Sequence, residues 1–160
     1  MDPFFIQSLG KITDVQTGET WGSDRLRSEI FKRNNYYSEQ GVEKKDNIAI
    51  LHNNNNSFFA ELFSMWMLGA CVSCLDKDIG ADEFVNLCEE LDIKYVIINK
   101  SIPKKLINLT SIIRVLDTNN SDDYEEKLIY TKKSIDDPAL ILFTSGSTGM
   151  PKGVVHSLRT

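Results

Sequence analysis

The chain predicts an α/β fold, a largely parallel sheet with helices on both faces, and three features of the sequence carry that prediction. Short, almost continuously apolar runs, such as Cys71-Val72-Ser73-Cys74-Leu75 and Tyr95-Val96-Ile97-Ile98, have the composition of strands buried on both sides. They alternate with stretches of helical periodicity, the pattern of strand–helix–strand units. One such apolar run, residues 139–143, leads directly into Thr144-Ser145-Gly146-Ser147-Thr148-Gly149-Met150-Pro151-Lys152-Gly153. A glycine- and hydroxyl-rich loop at the carboxyl end of a strand sits where open α/β sheets bind their ligands.

Each element follows from local chemistry. Residues 11–15 and 19–21, joined across Gln16-Thr17-Gly18, predict a small hairpin. Ser23 can cap a helix over residues 24–40, in which Leu26, Ile30 and Tyr37 form one stripe and Gly41 supplies the stop. Residues 48–51 read as a short strand. The polar run His52-Asn53-Asn54-Asn55-Asn56-Ser57 is turn chemistry, with Asn56 or Ser57 as the cap of a helix over 58–68. Apolar side chains from Phe58 to Met67 cover most of that helix, so it is expected to be central and nearly all buried, with Trp66 and Met67 in the core.

A strand over 71–75 is followed by an amphipathic helix over 81–91. Phe84, Leu87, Cys88 and Leu91 fall on its apolar arc, and Asp82, Glu83, Glu89 and Glu90 on its wet face. Residues 95–98 and 112–116 are strands with a short helix over 103–109 between them, residues 117–137 are connection, and residues 140–144 form the strand that feeds the loop. No repeat or linker divides the chain, so residues 1–160 are expected to form one domain.

Composition bounds the function. With 41% hydrophobic and 9% aromatic residues the chain has material for a core, and a net charge of −5 argues against a nucleic-acid surface. The basic pairs Lys44-Lys45, Lys104-Lys105 and Lys132-Lys133 are scattered and expected to be solvated. Residues 58–75 approach membrane-spanning length, but with Glu61, Ser64 and Gly69 among them they read as a buried helix running into a buried strand. Met1-Asp2-Pro3 has an acid where an export signal carries a base, so the expected compartment is the cytoplasm. Cys71 and Cys74 have C-x-x-C spacing, yet residues three apart on a strand point to opposite faces and only Cys88 remains as a further thiol. Buried, reduced, structural cysteines are expected and no metal site.

The loop itself is built for phosphate. Its three glycines let backbone N–H groups approach a ligand, and its four hydroxyls and one ammonium add donors. Gly146 and Lys152 have the separation of a Walker A motif. Pro151, however, stands at the second glycine and offers no N–H, and Gly153 stands where a hydroxyl would ligate magnesium. The β-branched pair Val154-Val155 then favours an extended chain over a helix, so the reading is strand, loop, strand. His156 reads as a strand residue, although it resembles a histidine of some acyl-CoA synthetases; His52 reads as a turn residue.

Phe143 through Val154 resembles the signature [YF]-T-S-G-[ST]-T-G-x-P-K-G-V of the adenylate-forming (AMP-binding) enzymes, which include acyl-CoA synthetases, adenylation domains of nonribosomal peptide synthetases and luciferases. The order of residues 20–26, Met67-Leu68-Gly69-Ala70 and the loop is also similar, whereas Leu158 departs from a histidine that many members carry. The resemblance implies the N-terminal subdomain of the adenylate-forming fold: a single truncated domain ending just after the phosphate loop. It assigns Thr144, Ser145, Gly146, Ser147, Thr148, Gly149 and Lys152 to nucleotide binding. It further implies ATP and Mg²⁺, a carboxylic acid substrate, and CoA or the phosphopantetheine of an acyl or peptidyl carrier protein as thiol acceptor.

An acyl-CoA synthetase-like ligase is the expected parent, with a peptide synthetase adenylation domain, a non-catalytic module on a decayed fold and a phosphotransferase as alternatives. The acyl pocket, the ribose contacts and the catalytic lysine of relatives all lie after the loop. The chain alone is therefore expected to catalyse nothing, and to self-associate through apolar surface.

Overall fold

A computed structural model describes residues 9–51, 54–99, 113–144 and 152–159. The chain opens with a two-stranded antiparallel hairpin, β1 (Ile12–Thr13) and β2 (Thr20–Trp21), and continues into helix α1 (Ser23–Glu39). Then come β3 (Asn47–Ile50), α2 (Asn56–Leu68), β4 (Cys71–Cys74), α3 (Ala81–Glu90), β5 (Ile93–Ile98) and β6 (Arg114–Asp117). A 3₁₀ turn (Thr118–Asp123) and the hairpin β7 (Pro138–Thr144) and β8 (Lys152–Ser157) complete the described elements. The six-stranded sheet has the order β6-β5-β3-β4-β7-β8; every neighbouring pair is parallel except the antiparallel β7–β8 edge.

Alternation along the strands divides the core between two faces. Ile48, Ile50, Val72, Ile97 and Leu116 pack against Tyr37 of α1 and Leu62, Met65 and Leu68 of α2. Ala49, Leu51, Val96 and Ile98 face the opposite way, toward Phe84, Leu87 and Cys88 of α3. Helices thus cover both faces, as the apolar strands predict. Burying each large aliphatic side chain contributes about 1.5–3 kcal/mol.

Turn chemistry places the ends with small corrections. Gly41 (φ +89°) and Gly69 (φ +83°) end α1 and α2 in the left-handed conformation, with Val42 N donating to Tyr37 O and Ala70 N to Met65 O. Gly22, not Ser23, is the N-cap of α1, and it makes no side-chain cap bond. The cap of α2 is Asn55, one residue before the predicted pair, because its side chain reaches Phe58 N at 3.1 Å. The first hairpin is shorter than predicted: Asp14 Oδ1 accepts from Gln16 N at 2.8 Å, so Asp14 joins the turn rather than a strand. The helix predicted over 103–109 lies outside the described residues.

The stretch read as plain connection is a strap tied across α1 and α2. It is needed because β6 and β7 lie on opposite sides of the central strands. Ile129 N donates to Asn34 Oδ1 (2.8 Å), Thr131 N to Met67 O (2.8 Å) and Ser28 Oγ to Glu126 (2.6 Å), while Tyr124 stacks edge-on to Tyr36. Two lysines expected to be solvated are drawn into this tie: Lys44 Nζ donates to Lys132 O (3.0 Å), and half-buried Lys133 donates to Pro138 O (2.8 Å). Burial pushes the Lys133 ammonium below its ordinary pKa.

Helix α2 is central, as predicted, and Leu62, Met65 and Met67 are buried as expected, but its aromatic side chains, Trp66 included, depart from the prediction. Phe58, Phe59, Phe63 and Trp66 are only partly buried, whereas Asn56, Ser57, Glu61 and Ser64 are buried. Glu61 is 0% exposed. It accepts from Arg33 Nε of α1 at 2.9 Å and from the hydroxyls of Tyr37 and Thr118; Arg33 also donates to Ser57 Oγ (3.1 Å) and pairs with Glu29. Burial opposes the charge on Arg33, but Glu61, Glu29 and Tyr37 outweigh it and raise its pKa. Burial, then the Glu61 charge, pushes Tyr37 well up.

Candidate phosphate-binding hairpin

Because β7 runs parallel to β4, its final residue Thr144 lies at the carboxyl end of the sheet, and β8 starts there on its return. The ladder pairs Thr144 with Lys152, Phe143 with Gly153, Leu142 with Val154 and Ile141 with Val155. Residues 145–151 are carried by this stem but lie outside the described residues, so of the predicted nucleotide-binding set only Thr144 and Lys152 are placed. Ser145, Gly146, Ser147, Thr148 and Gly149 lie outside the described residues. Both strands of the strand, loop, strand reading are present: β8 runs over Lys152–Ser157, where a Walker A motif would place a helix, while the loop itself lies outside the described residues.

Lys152 is exposed at the tip of this stem, at the end of the sheet where α/β folds bind ligands. Trp66 Nε1 donates to Ala139 O at 2.8 Å, pinning the base of β7 to α2. Half-buried Phe143 packs on the α3-side core. His156 is half-buried in β8 opposite Leu140, in keeping with a strand residue. Leu142, Val154 and Val155 leave apolar surface at this edge, with Val155 58% exposed. Sequence reasoning did not single out Phe143 as more than a motif position; its pairing with a glycine across the hairpin was the available signal.

Clefts among the described residues lie at both ends of the sheet, and two of them bear on where the site lies. One of about 340 Å³ lies at the carboxyl end beside the stem, bounded by Cys74, Leu75, Asp76, Ile79, Leu87 and Phe143. The other, about 430 Å³, lies at the amino ends of β5 and β6 among Cys88, Asp92, Lys94 and Arg114, remote from the loop by topology. All three cysteines are free. Burial holds Cys74 up to about 11 and Cys88 up to about 12, so both are protonated thiols at neutral pH. Among the described residues no group of three or more His, Cys, Asp or Glu is arranged to hold a metal ion, and no helix is long and apolar enough to cross a membrane.

With this geometry in place, comparison with known proteins adds the decisive observation: the family model of the AMP-binding enzymes matches residues 19–160. The chain belongs to the AMP-binding enzyme family. Among curated relatives, a hybrid PKS-NRPS synthetase, gkaA of Penicillium citrinum, is 29% identical over 146 residues, covering 88% of this chain and 4% of that protein. A 2-succinylbenzoate–CoA ligase of Listeria monocytogenes serotype 4b (strain F2365) is 27% identical over 117 residues, covering 73% of this chain and 24% of that protein. The chain therefore spans less than a quarter of either relative's length.

Solved structures agree on the AMP-binding fold. The O-succinylbenzoate CoA synthetase MenE of Bacillus subtilis, in complex with AMP, superposes with a TM-score of 0.75 at 22% identity, covering 87% of this chain and 36% of that one. A Brucella canis acyl-CoA synthetase gives a TM-score of 0.77 at 20% identity, covering 88% of this chain and 28% of that one. The chain thus shares its fold with these structures over 87% and 88% of its length.

Proposed function

We propose that this chain supplies the phosphate-holding stem of an ATP-dependent ligase that activates a carboxylate and passes it to a thiol. The single observation that supports the reading is positional: the two ends of the signature lie on antiparallel strands at the carboxyl end of the sheet, with Thr144 and Lys152 as ladder partners. In the reaction, a carboxylate oxygen attacks the α-phosphorus of ATP, the bond to the bridging oxygen breaks, and pyrophosphate leaves with the electron pair. A thiolate then attacks the acyl carbon of the adenylate, and AMP departs.

Throughout the first step the β- and γ-phosphates carry concentrated negative charge. Lys152 would oppose that charge, and the hydroxyls and backbone N–H groups of residues 144–149 would donate to the phosphate oxygens, each charge-assisted bond contributing about 1.5–3 kcal/mol. Magnesium would arrive as the counter-ion of the same phosphates and neutralise them further. The acceptor would be CoA or a carrier-bound phosphopantetheine; relatives on both sides of that division support a thiol without choosing between them.

The test is carboxylate-dependent ATP–pyrophosphate exchange, paired with pyrophosphate titration. This chain alone is expected to bind magnesium pyrophosphate weakly and to catalyse no exchange, because nothing described in it supplies an adenine or acyl pocket. Robust exchange would overturn the second half of the proposal. Absence of any pyrophosphate binding would overturn the first.

A further inference from the structure

Gly153 closes the signature motif and is naturally counted among the glycines that let phosphate approach the backbone. Its environment says otherwise. The described glycines with positive φ are Gly18, Gly41 and Gly69, so no left-handed conformation demands glycine at 153. What demands it is space. A Cβ built on Gly153 would lie 3.3 Å from Phe143 Cε1, 3.3 Å from Ile141 Cγ2 and 3.8 Å from Phe143 Cδ1. The two 3.3 Å approaches are inside the 3.5–4.0 Å optimum for carbon pairs, so an added Cβ would have to displace buried Ile141 or push the half-buried Phe143 ring from its contact with the α3-side core.

We infer that Gly153 is a positioning residue: the space left by its missing Cβ is the seat of the Phe143 ring, and this cross-strand pair sets the hairpin stem one ladder step before the Thr144–Lys152 pair. A glycine opposite an aromatic residue is a recurrent way to pin register in a ladder, because the ring covers the bare strand. Register matters here because a slip of one residue would exchange which face each stem side chain occupies and would move Lys152 out of line with Thr144. Phe143 also walls the carboxyl-end cleft together with Leu75, after β4, and Leu87 of α3, so the same ring ties the stem to the α3-side core. The effect on ligand is indirect, through the ring and the ladder. The inference rests on the phosphate-holding role proposed for the hairpin.

The experiment is a double-mutant cycle on this chain: Gly153→Ala, Phe143→Ala and the two combined, with Lys152→Ala as reference, each titrated with magnesium pyrophosphate and each checked for its urea midpoint. Gly153→Ala is expected to weaken pyrophosphate roughly tenfold with Phe143 present and by less than about twofold in the Phe143→Ala background, a coupling of the size that contacting residues show. Equal weakening in both backgrounds would mean that the phosphate itself needs the space, and it would overturn the inference; so would no weakening in either.

Amide hydrogen exchange along the stem, read on the same proteins, decides the matter even if pyrophosphate binding is lost in a variant. Exchange at residues 141–143 and 153–155 should speed with Gly153→Ala only while Phe143 is present, and a response independent of Phe143 refutes the seat. If Lys152→Ala leaves pyrophosphate affinity unchanged, the phosphate role of the hairpin fails on its own account, and the exchange data still judge the Gly153–Phe143 pair.

Discussion

Two polar regions of this chain use the same kinds of side chain to opposite ends. Between α1, α2 and the 3₁₀ turn, Arg33, Glu61, Tyr37, Thr118 and Ser57 are buried and satisfy one another. At the end of β7 and β8, the ladder sets Thr144 opposite Lys152 at the carboxyl end of the sheet, and Lys152 is exposed. The difference teaches how burial sorts charge: the buried set has to find its partners inside the fold, whereas Lys152 lies exposed at the end where α/β sheets bind ligands, the position from which the proposed phosphate contact would be made.

The largest expected effect lies in the buried set. Glu61→Leu leaves Arg33 buried without its main counter-charge and should cost about 3–5 kcal/mol in urea unfolding. Pairing it with Arg33→Met should recover most of that loss; a loss under about 1 kcal/mol for the single change would show that the network is not coupled as the distances imply.

Alkaline pH should separate the regions next. Cys74 and Cys88 hold their protons to about 11 and about 12 in the fold against an ordinary 9.0, and Tyr37 is raised well above its ordinary 10.0. Their raised values contribute stability that is fully present below pH 9 and is lost as the pH climbs through the folded values, because the unfolded chain ionises first. Urea midpoints should be flat from pH 7 to 9 and fall above it, and Tyr37→Phe or Cys88→Ala should flatten that fall. A midpoint that rises above pH 9 would contradict these directions.

The hairpin is expected to behave in the reverse manner. Lys152→Ala should weaken magnesium pyrophosphate roughly 10- to 100-fold, the worth of one charge-assisted contact, while changing stability by no more than about 0.5 kcal/mol at so exposed a site. A variant that unfolds instead would place Lys152 with the structural charges. Smallest of all, Asn55→Ala removes the α2 cap and should cost about 1 kcal/mol with pyrophosphate affinity unchanged.

Much of the fold was legible in the residues. Apolar strands alternating with helices predicted the sheet, and Gly41 and the Val154-Val155 pair marked a helix end and a returning strand correctly. Cap positions slipped by one residue at Gly22 and Asn55, since a run of adjacent polar residues offers several caps of similar merit and tertiary contacts choose among them. The buried pair was written in the sequence but passed over. Arg33 falls on the stripe of Leu26, Ile30 and Tyr37, and Glu61 is the one charged residue of a largely apolar helix, so each is a charge on a buried face that requires a partner. Pairing them needed the packing of α1 on α2, which no local rule supplies. The Gly153 seat was hidden for a similar reason, as motif glycines are read through backbone freedom and this one serves the ring across the ladder.

The central claim, that the β7–β8 stem holds phosphate, is tested most directly by titrating magnesium pyrophosphate into the ¹⁵N-labelled chain and mapping the amide shifts. The account predicts saturable shifts at Thr144, Lys152 and Gly153 that Lys152→Ala abolishes. Shifts centred instead on Lys94 and Arg114, at the amino-end cleft, or none at the stem at millimolar pyrophosphate, would contradict it.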